Sequence, residues 1–253
     1  GLRKDGASWK KAEAAGHKVK EVAEACRKRN ILFHTDAAQA AGKVSVRLED
    51  MGHPDMVTLV GHKIGAPKGV AALYVRQDCC NECGRTLPQK CILLFGGGQE
   101  HGRRGGTENV PYLVGMGKAA ELAIADLDRN SKHMEEMRNR LLGNLKRHLG
   151  DEQVRPNGPT DSSLRLPNTL SVGIKGVQSG NLLKMIGNDV AASAGAACHS
   201  TGDGDISAVL RAMNVPDDFA RGTLRLTVGP RTTAVEVDQA SVIIAHEVKR
   251  QIQ

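Results

Sequence analysis

The sequence predicts an α/β architecture that runs into a smaller α+β domain. Three observations carry that expectation. Short, continuous apolar runs at Ile31-Leu32-Phe33, Met56-Val57-Thr58-Leu59-Val60 and Val70–Val75 have the character of strands covered on both faces of a parallel or mixed sheet. A long helical pattern from about Glu108 to Leu149 separates them from the rest of the chain. Beyond it, the turn-rich stretch 151–169 opens a second series of short strand and helix patterns.

The elements follow in order. Residues 10–29 read as a helix, because Val19, Val22, Ala23 and Cys26 recur at helical spacing with charges between them. Residues 77–90, QDCCNECGRTLPQK, read as an exposed loop, and Ile92–Phe95 as a fourth strand. Within 108–149, Met134, Met137, Leu141, Leu142, Leu145 and Leu149 form an apolar stripe. A break is expected near Asn130, which divides the chain into 16–130 and 131–253, with residues 1–15 apart from both. In the second part, Leu170–Ile174, Val190–Ser193 and Thr223–Val228 read as strands, and Gly180–Ile186 and Ala234–Gln251 as helices.

Composition narrows the function classes. Aromatic residues make up only 2% of the 253, so the core must be aliphatic. No apolar run approaches the roughly 18 residues of a membrane span. The start, GLRKDGASWKK, lacks the apolar stretch of a secretory signal, so a cytoplasmic protein is expected. The net charge of +7 is concentrated in residues 1–30, where there is almost no aromatic material to stack on bases. A solvated basic face is the expectation, not a nucleic-acid site. The six cysteines sit in a chain that needs no disulfides for stability, so they read as buried, reactive or metal-binding. Cys79-Cys80-x-x-Cys83 with Cys91 lacks a second pair or a nearby histidine, which leaves a zinc site incomplete. No metal is expected.

Five stretches carry chemistry. In HTDAAQAAGK (34–43), Asp36 follows an apolar strand, where a carboxylate is costly unless a cation meets it; the plain alternative is a helix N-cap. In VGHKIGAPKG (60–69), Lys63 follows another apolar strand, a position where burial would favour a neutral, nucleophilic amine. His62 beside it offers a base or hydrogen-bond partner. In FGGGQEHGRRGGTENVP (95–111), glycines permit close approach of an anion, Thr107 offers a hydroxyl and a helix is due to begin. The spacing matches neither a Walker loop nor a dinucleotide fingerprint. In ASAGAACHS (192–200), Cys198 lies in a small-residue tract after a strand, and His199 beside it does not make a dyad. In TLRLTVGPRTT (223–233), Arg225 sits mid-strand among apolar neighbours and needs an anion, whether a substrate carboxylate or a structural partner.

Taken together, His34-Thr35-Asp36-Ala37-Ala38-Gln39 and Gly61-His62-Lys63, followed by GGGQE, GTEN, ACHS and RLTVG in that order, resemble fold-type I pyridoxal-phosphate enzymes. Within these they resemble the class-V group of cysteine desulfurases and selenocysteine lyases. The resemblance implies the C-terminal part of a three-layer cofactor domain followed by an α+β small domain. It implies pyridoxal 5'-phosphate as cofactor, with Asp36 paired to the protonated ring nitrogen and Gln39 hydrogen-bonded to the ring phenolate. Lys63 would carry the cofactor and shuttle the α-proton of the amino-acid substrate. Thr107 would contact the cofactor phosphate of a neighbouring subunit, which implies a homodimer. Cys198 would meet the substrate's sulfur or selenium, and Arg225 its α-carboxylate.

The implied reaction takes selenium from L-selenocysteine, or sulfur from L-cysteine, and leaves L-alanine. Cys-His-Ser together with Val-Gly-His-Lys looks most like the selenocysteine lyase branch. A desulfurase that passes sulfur to an acceptor protein for cofactor assembly is the alternative, as is an inactive truncated homologue that serves as an interaction partner. The resemblance begins at about Gly16, and the family's upstream phosphate loop, ring-stacking histidine and Asn-Asn-Glu segment have no match before it. A partial chain is therefore expected. Val60 replaces a common phosphate-binding serine, KIGAPKG replaces KIYGPKG, and VGPRTT shifts an arginine by one place.

Overall fold

The computed structural model describes residues 19–77, 94–194 and 206–252. They divide into two compact units, with the boundary between Leu127 and Asp128.

The first unit begins with α1 (Val19–Arg27). Asn30 ends it in the left-handed region, at φ 52°, and the Ile31 amide donates back to the Cys26 carbonyl at 2.9 Å. The sheet is mixed. β1 (His34–Asp36) runs parallel to β2 (Met56–Val60), and β2 pairs antiparallel with β3 (Ala71–Val75). The register sets Asp36 opposite Thr58 and Val60 opposite Ala71.

The apolar run Ile31-Leu32-Phe33 is not itself the strand, because β1 starts three residues later. Phe33 is held by Asp55 instead: its amide donates to Asp55 Oδ2 at 2.8 Å, and its carbonyl accepts from the Asp55 and Met56 amides. The Asp55 Oδ1 also accepts from Arg76 Nε at 3.0 Å and Nη2 at 2.7 Å, which ties the start of β2 to the end of β3. This end of the sheet is the amino end of β1 and β2, so their carboxyl ends lie at the other.

Both sheet faces were expected to be covered, and among the described residues one is. Ala37, Met51 and Val57 pack there with Val46, Leu48, Leu59 and Tyr74. On the other face, Leu73, opposite Thr58, remains 54% exposed. The expected strand Ile92–Phe95 is not formed by its described part. Leu94 makes an isolated bridge with Arg104, and Phe95 lies outside any strand.

α2 (Val110–Ala125) is the last helix wholly within the first unit, and α3 (Leu127–Leu149) belongs to the second from its second residue, Asp128, onward. The break falls at Asp126 rather than near Asn130. Asp126 has left helical geometry, at φ −104° and ψ 8°.

The second unit is an antiparallel sheet of β4 (Val154–Pro156), β5 (Thr169–Ile174) and β6 (Thr223–Thr227), in that order. Alternation along β5 and β6 sends Leu170, Val172, Ile174, Leu224 and Leu226 inward. There they meet Leu145 of α3, Leu182 and Ile186 of α4 (Ser179–Ile186), and Ile244 and Val248 of α7 (Ala234–Ile252). Two short helices, α5 (Ala208–Ala212) and α6 (Asp217–Ala220), precede β6. The strand expected at Val190–Ser193 is reduced to one bridge between Ser193 and Arg225. α7 starts on a capping box: the Thr233 amide donates to Glu236 Oε2 at 2.7 Å, and the Glu236 amide donates to Thr233 Oγ1 at 3.3 Å.

Candidate active site

Parallel pairing brings the carboxyl ends of β1 and β2 to one edge of the first unit's sheet. Asp36 is the last residue of β1 and is exposed. Its Oδ1 accepts from the Ala38 amide at 2.9 Å, so one oxygen caps the turn that follows. Its Oδ2 has no hydrogen-bond partner among the described residues. Gln39 lies in the same turn, exposed. His34, two residues before Asp36, shares a 2.8 Å hydrogen bond between Nε2 and Thr58 Oγ1. This contact crosses from β1 to β2, and nothing in the local sequence singles out Thr58.

β2 ends in a turn of 3-10 helix, Gly61–Lys63. The glycine is required by close approach. A Cβ on it would stand 2.8 Å from the Val70 carbonyl oxygen and 2.9 Å from Val70 Cγ1. Its amide donates to that same carbonyl at 3.0 Å, and its carbonyl accepts from the Ile64 and Ala66 amides. The turn is thereby locked to the start of β3, and it presents His62 and Lys63 outward, both exposed. The burial expected to activate Lys63 is absent, because the strand ends before the lysine and the turn lifts it into solvent.

A second lysine stands close by. Lys43, at the end of the HTDAAQAAGK stretch, is only 9% exposed. Its Nζ donates to the Ala41 carbonyl at 3.3 Å. Burial, and then the charge of Lys63, hold Lys43 below the ordinary lysine range. Sequence reading missed it. The one available signal was a charged residue closing a tract of small ones, and only the fold shows that it is buried.

Thr107 is exposed in the loop before α2. That loop is held by close backbone approach: the Gly105 amide donates to the Leu94 carbonyl at 2.8 Å, and a Cβ on Gly105 would stand 2.6 Å from Gly96 Cα. Asn109 caps α2 by accepting from the Tyr112 amide at 3.3 Å.

In the second unit, Arg225 is half-buried in the middle of β6, opposite Ser171. Its backbone is paired on the other side with Ser193, donating at 2.6 Å and accepting at 3.3 Å. The guanidinium has no ion-pair partner among the described residues. Cys198 lies outside the described residues, as do Cys79, Cys80, Cys83 and Cys91. Among the described residues no group of three or more His, Cys, Asp or Glu side chains could hold a metal ion. No described helix is long and apolar enough to cross a membrane.

Residues 15–240 match the profile of the class-V aminotransferases. The chain belongs to that family. Family members depend on pyridoxal phosphate. The class-V chain is 36% identical over 233 residues to cysteine desulfurase IscS of Clostridium botulinum, covering 92% of this chain and 55% of the relative. It is 43% identical over 209 residues to the human selenocysteine lyase, covering 82% and 45%. A solved NifS-like protein superposes with a TM-score of 0.75 at 31% identity, covering 92% of this chain and 57% of the other. The apo cysteine desulfurase of Thermococcus onnurineus NA1 shares the fold, with a TM-score of 0.73 at 19% identity. The class-V chain spans about half the length of the curated relatives it matches.

Proposed function

We propose that this chain carries the carboxylate, the amine and the thiol of a pyridoxal-phosphate-dependent lyase that takes selenium or sulfur from L-selenocysteine or L-cysteine and leaves L-alanine. The observation that carries this reading is the meeting of Asp36 and Lys63 on one edge of one sheet, at the carboxyl ends of two parallel strands. The donor set fits the cofactor. Asp36 has a carboxylate oxygen without a partner among the described residues, suited to a protonated ring nitrogen, and Lys63 has an exposed primary amine, suited to an aldehyde carbon. When bound, the cofactor supplies an electron sink for the substrate's α-carbon.

The remaining roles fall to the chain's own groups. Asp36 would hold the protonated ring nitrogen, and Gln39 would orient the ring. Lys63 Nζ would carry the cofactor and take the α-proton of the substrate, with His62 beside it as hydrogen-bond partner. Arg225, whose guanidinium lacks an ion-pair partner among the described residues, holds the substrate carboxylate. Cys198 Sγ takes the sulfur of cysteine: a thiol and L-cysteine become a persulfide and L-alanine, with no other reactant. For selenocysteine, Cys198 acts as proton donor, and release as selenide draws two electrons from an added thiol reductant. The human selenocysteine lyase, at 43% identity, supports the selenium branch; the clostridial cysteine desulfurase, at 36%, supports the sulfur branch. Thr107 acts across a homodimer, on the cofactor phosphate of the neighbouring subunit.

The test is to purify the chain with added pyridoxal phosphate, reduce it with borohydride and map the labelled peptide. Label on Lys63, lost in Lys63→Ala, is the expected result. Selenide and sulfide release then separates the two substrates. Label absent from Lys63, or unchanged in Lys63→Ala, overturns the reading.

A further inference from the structure

Arg225 does not stand alone on its face of the second unit's sheet. Leu170, Val172, Leu224 and Leu226 point into the apolar core, so Ser171, Thr223 and Arg225, which alternate with them, line the opposite face. Asn157, which follows β4, joins them there: its Nδ2 donates to Ser171 Oγ at 3.2 Å and to Thr223 Oγ1 at 3.3 Å. We propose that Ser171 is a second donor to the carboxylate that Arg225 holds, its hydroxyl oriented for that bond by Asn157. This rests on Arg225 as the carboxylate-binding residue.

Backbone pairing brings the two side chains together. The Arg225 amide donates to the Ser193 carbonyl, and the Arg225 carbonyl accepts from the Ser193 amide, so both backbone groups face away from β5. Ser171 and Arg225 are opposite each other in the register and are therefore a non-hydrogen-bonded pair, the antiparallel position at which side chains stand closest. The bonds on either side, from the Val228 amide to the Asn168 carbonyl and from the Ile174 amide to the Gly222 carbonyl, fall at the alternate positions and agree with this.

The direction of each hydrogen bond decides what the pair can bind. Thr223 Oγ1 donates its hydrogen to the Phe219 carbonyl at 3.1 Å, so toward Asn157 it can only accept. That orients the Asn157 amide with its nitrogen toward Thr223 and Ser171, although its Oδ1 is then buried without a partner among the described residues. Asn157 is itself buried, and its backbone amide donates to the Ser171 carbonyl at 2.8 Å, so the side chain is held where it stands. Ser171 Oγ accepts from Asn157 and keeps its own hydrogen, which meets no acceptor among the described residues. Arg225 offers donors only. Two half-buried donors side by side suit a carboxylate, which has an oxygen for each; a cation would find nothing here to accept its hydrogens.

The experiment is an NMR titration of the isotope-labelled, cofactor-free chain with propionate, and with propanamide as its uncharged counterpart, following the backbone amides of Ser171 and Arg225. Circular dichroism confirms that each variant folds. The expected result is saturable shifts at both positions with propionate, none with propanamide, and none with either in Arg225→Gln. Ser171→Ala weakens propionate about threefold to tenfold, the worth of one hydrogen bond. Ser171→Thr, which keeps the hydroxyl, stays within about twofold of the parent. Unchanged affinity in a folded Ser171→Ala overturns the inference and leaves Arg225 as the carboxylate's holder. An equal loss in the alanine and threonine variants also overturns it, because Ser171 would then only shape the strand. Absent shifts in the parent, or shifts that persist in Arg225→Gln, overturn the inference together with the role given to Arg225. The titration needs no cofactor, so it separates these failures from a failure of Lys63 to take the cofactor.

Discussion

Replacing Gly61 with alanine tests whether the turn that presents Lys63 depends on backbone contact. The new methyl carbon would stand 2.8 Å from the Val70 carbonyl oxygen, 2.9 Å from Val70 Cγ1 and 3.1 Å from Ala66 Cβ. The nearest of these is backbone, which cannot rotate away as a side chain would. Over-packing of this kind costs about 1–3 kcal/mol. The 3.0 Å hydrogen bond from the Gly61 amide to that same carbonyl is strained as well, adding about 0.5–1.5 kcal/mol. A loss of roughly 1.5–4.5 kcal/mol in local stability is expected. Hydrogen exchange read by mass spectrometry on peptides from residues 56–75 reports it as lost protection, while peptides from β5 in the second unit keep theirs. Gly143→Ala is the control. Gly143 is exposed in the middle of α3, and a Cβ there meets nothing within 4 Å. Alanine should stabilise that helix by about 0.5–1 kcal/mol. If Gly61→Ala keeps the parent's protection to within about 0.5 kcal/mol, the close approach to Val70 does not govern the turn.

Two further outcomes follow from the second unit. Leu145 is fully buried at the centre of its core, and Leu145→Ala should destabilise that unit by about 2–5 kcal/mol in urea unfolding followed by hydrogen exchange. A loss under about 1 kcal/mol would mean that the core closes over the gap. The second outcome concerns pH. Hydrogen bonds from Arg140, at 2.7 Å to each oxygen, and from Asn144 hold the Asp238 carboxyl down from 3.8 to about 2. A carboxyl depressed on folding contributes stability above its unfolded pKa and loses that contribution as pH falls through the folded value. Asp238→Asn should therefore flatten the acid side of the stability profile and leave neutral pH less stable than the parent. A profile parallel to the parent's down to pH 2 would refute the pairing. Because the pair is exposed, salt should shrink the difference.

Much of the fold is legible where local pattern and tertiary pairing agree. β5 and β6 alternate apolar and polar residues and form as expected, and the start of α7 is marked by Thr233 and Glu236. Legibility failed where apolar character served another purpose. Ile31-Leu32-Phe33 reads as a strand but is a lead-in, because the aspartate that captures Phe33 lies in a distant part of the sequence. Val190–Ser193 is apolar enough for a strand, yet only Ser193 meets β6. β4 is too short to show a period of its own and exists only because β5 lies beside it.

The sequence by itself determined which residue types carry the chemistry and in what order they occur: a carboxylate after one strand, an amine after the next, a glycine-rich loop, a cysteine in a small-residue tract and an arginine in a strand. These are covalent facts, and the class-V family match rests on them. The tertiary structure alone decided that Asp36 and Lys63 share an edge, because strand direction is set by pairing and not by local propensity. It alone decided that Lys63 is exposed while Lys43, an equally charged residue in a less suggestive stretch, is buried. Burial depends on which segments fold over a side chain, and no short stretch of sequence contains that information.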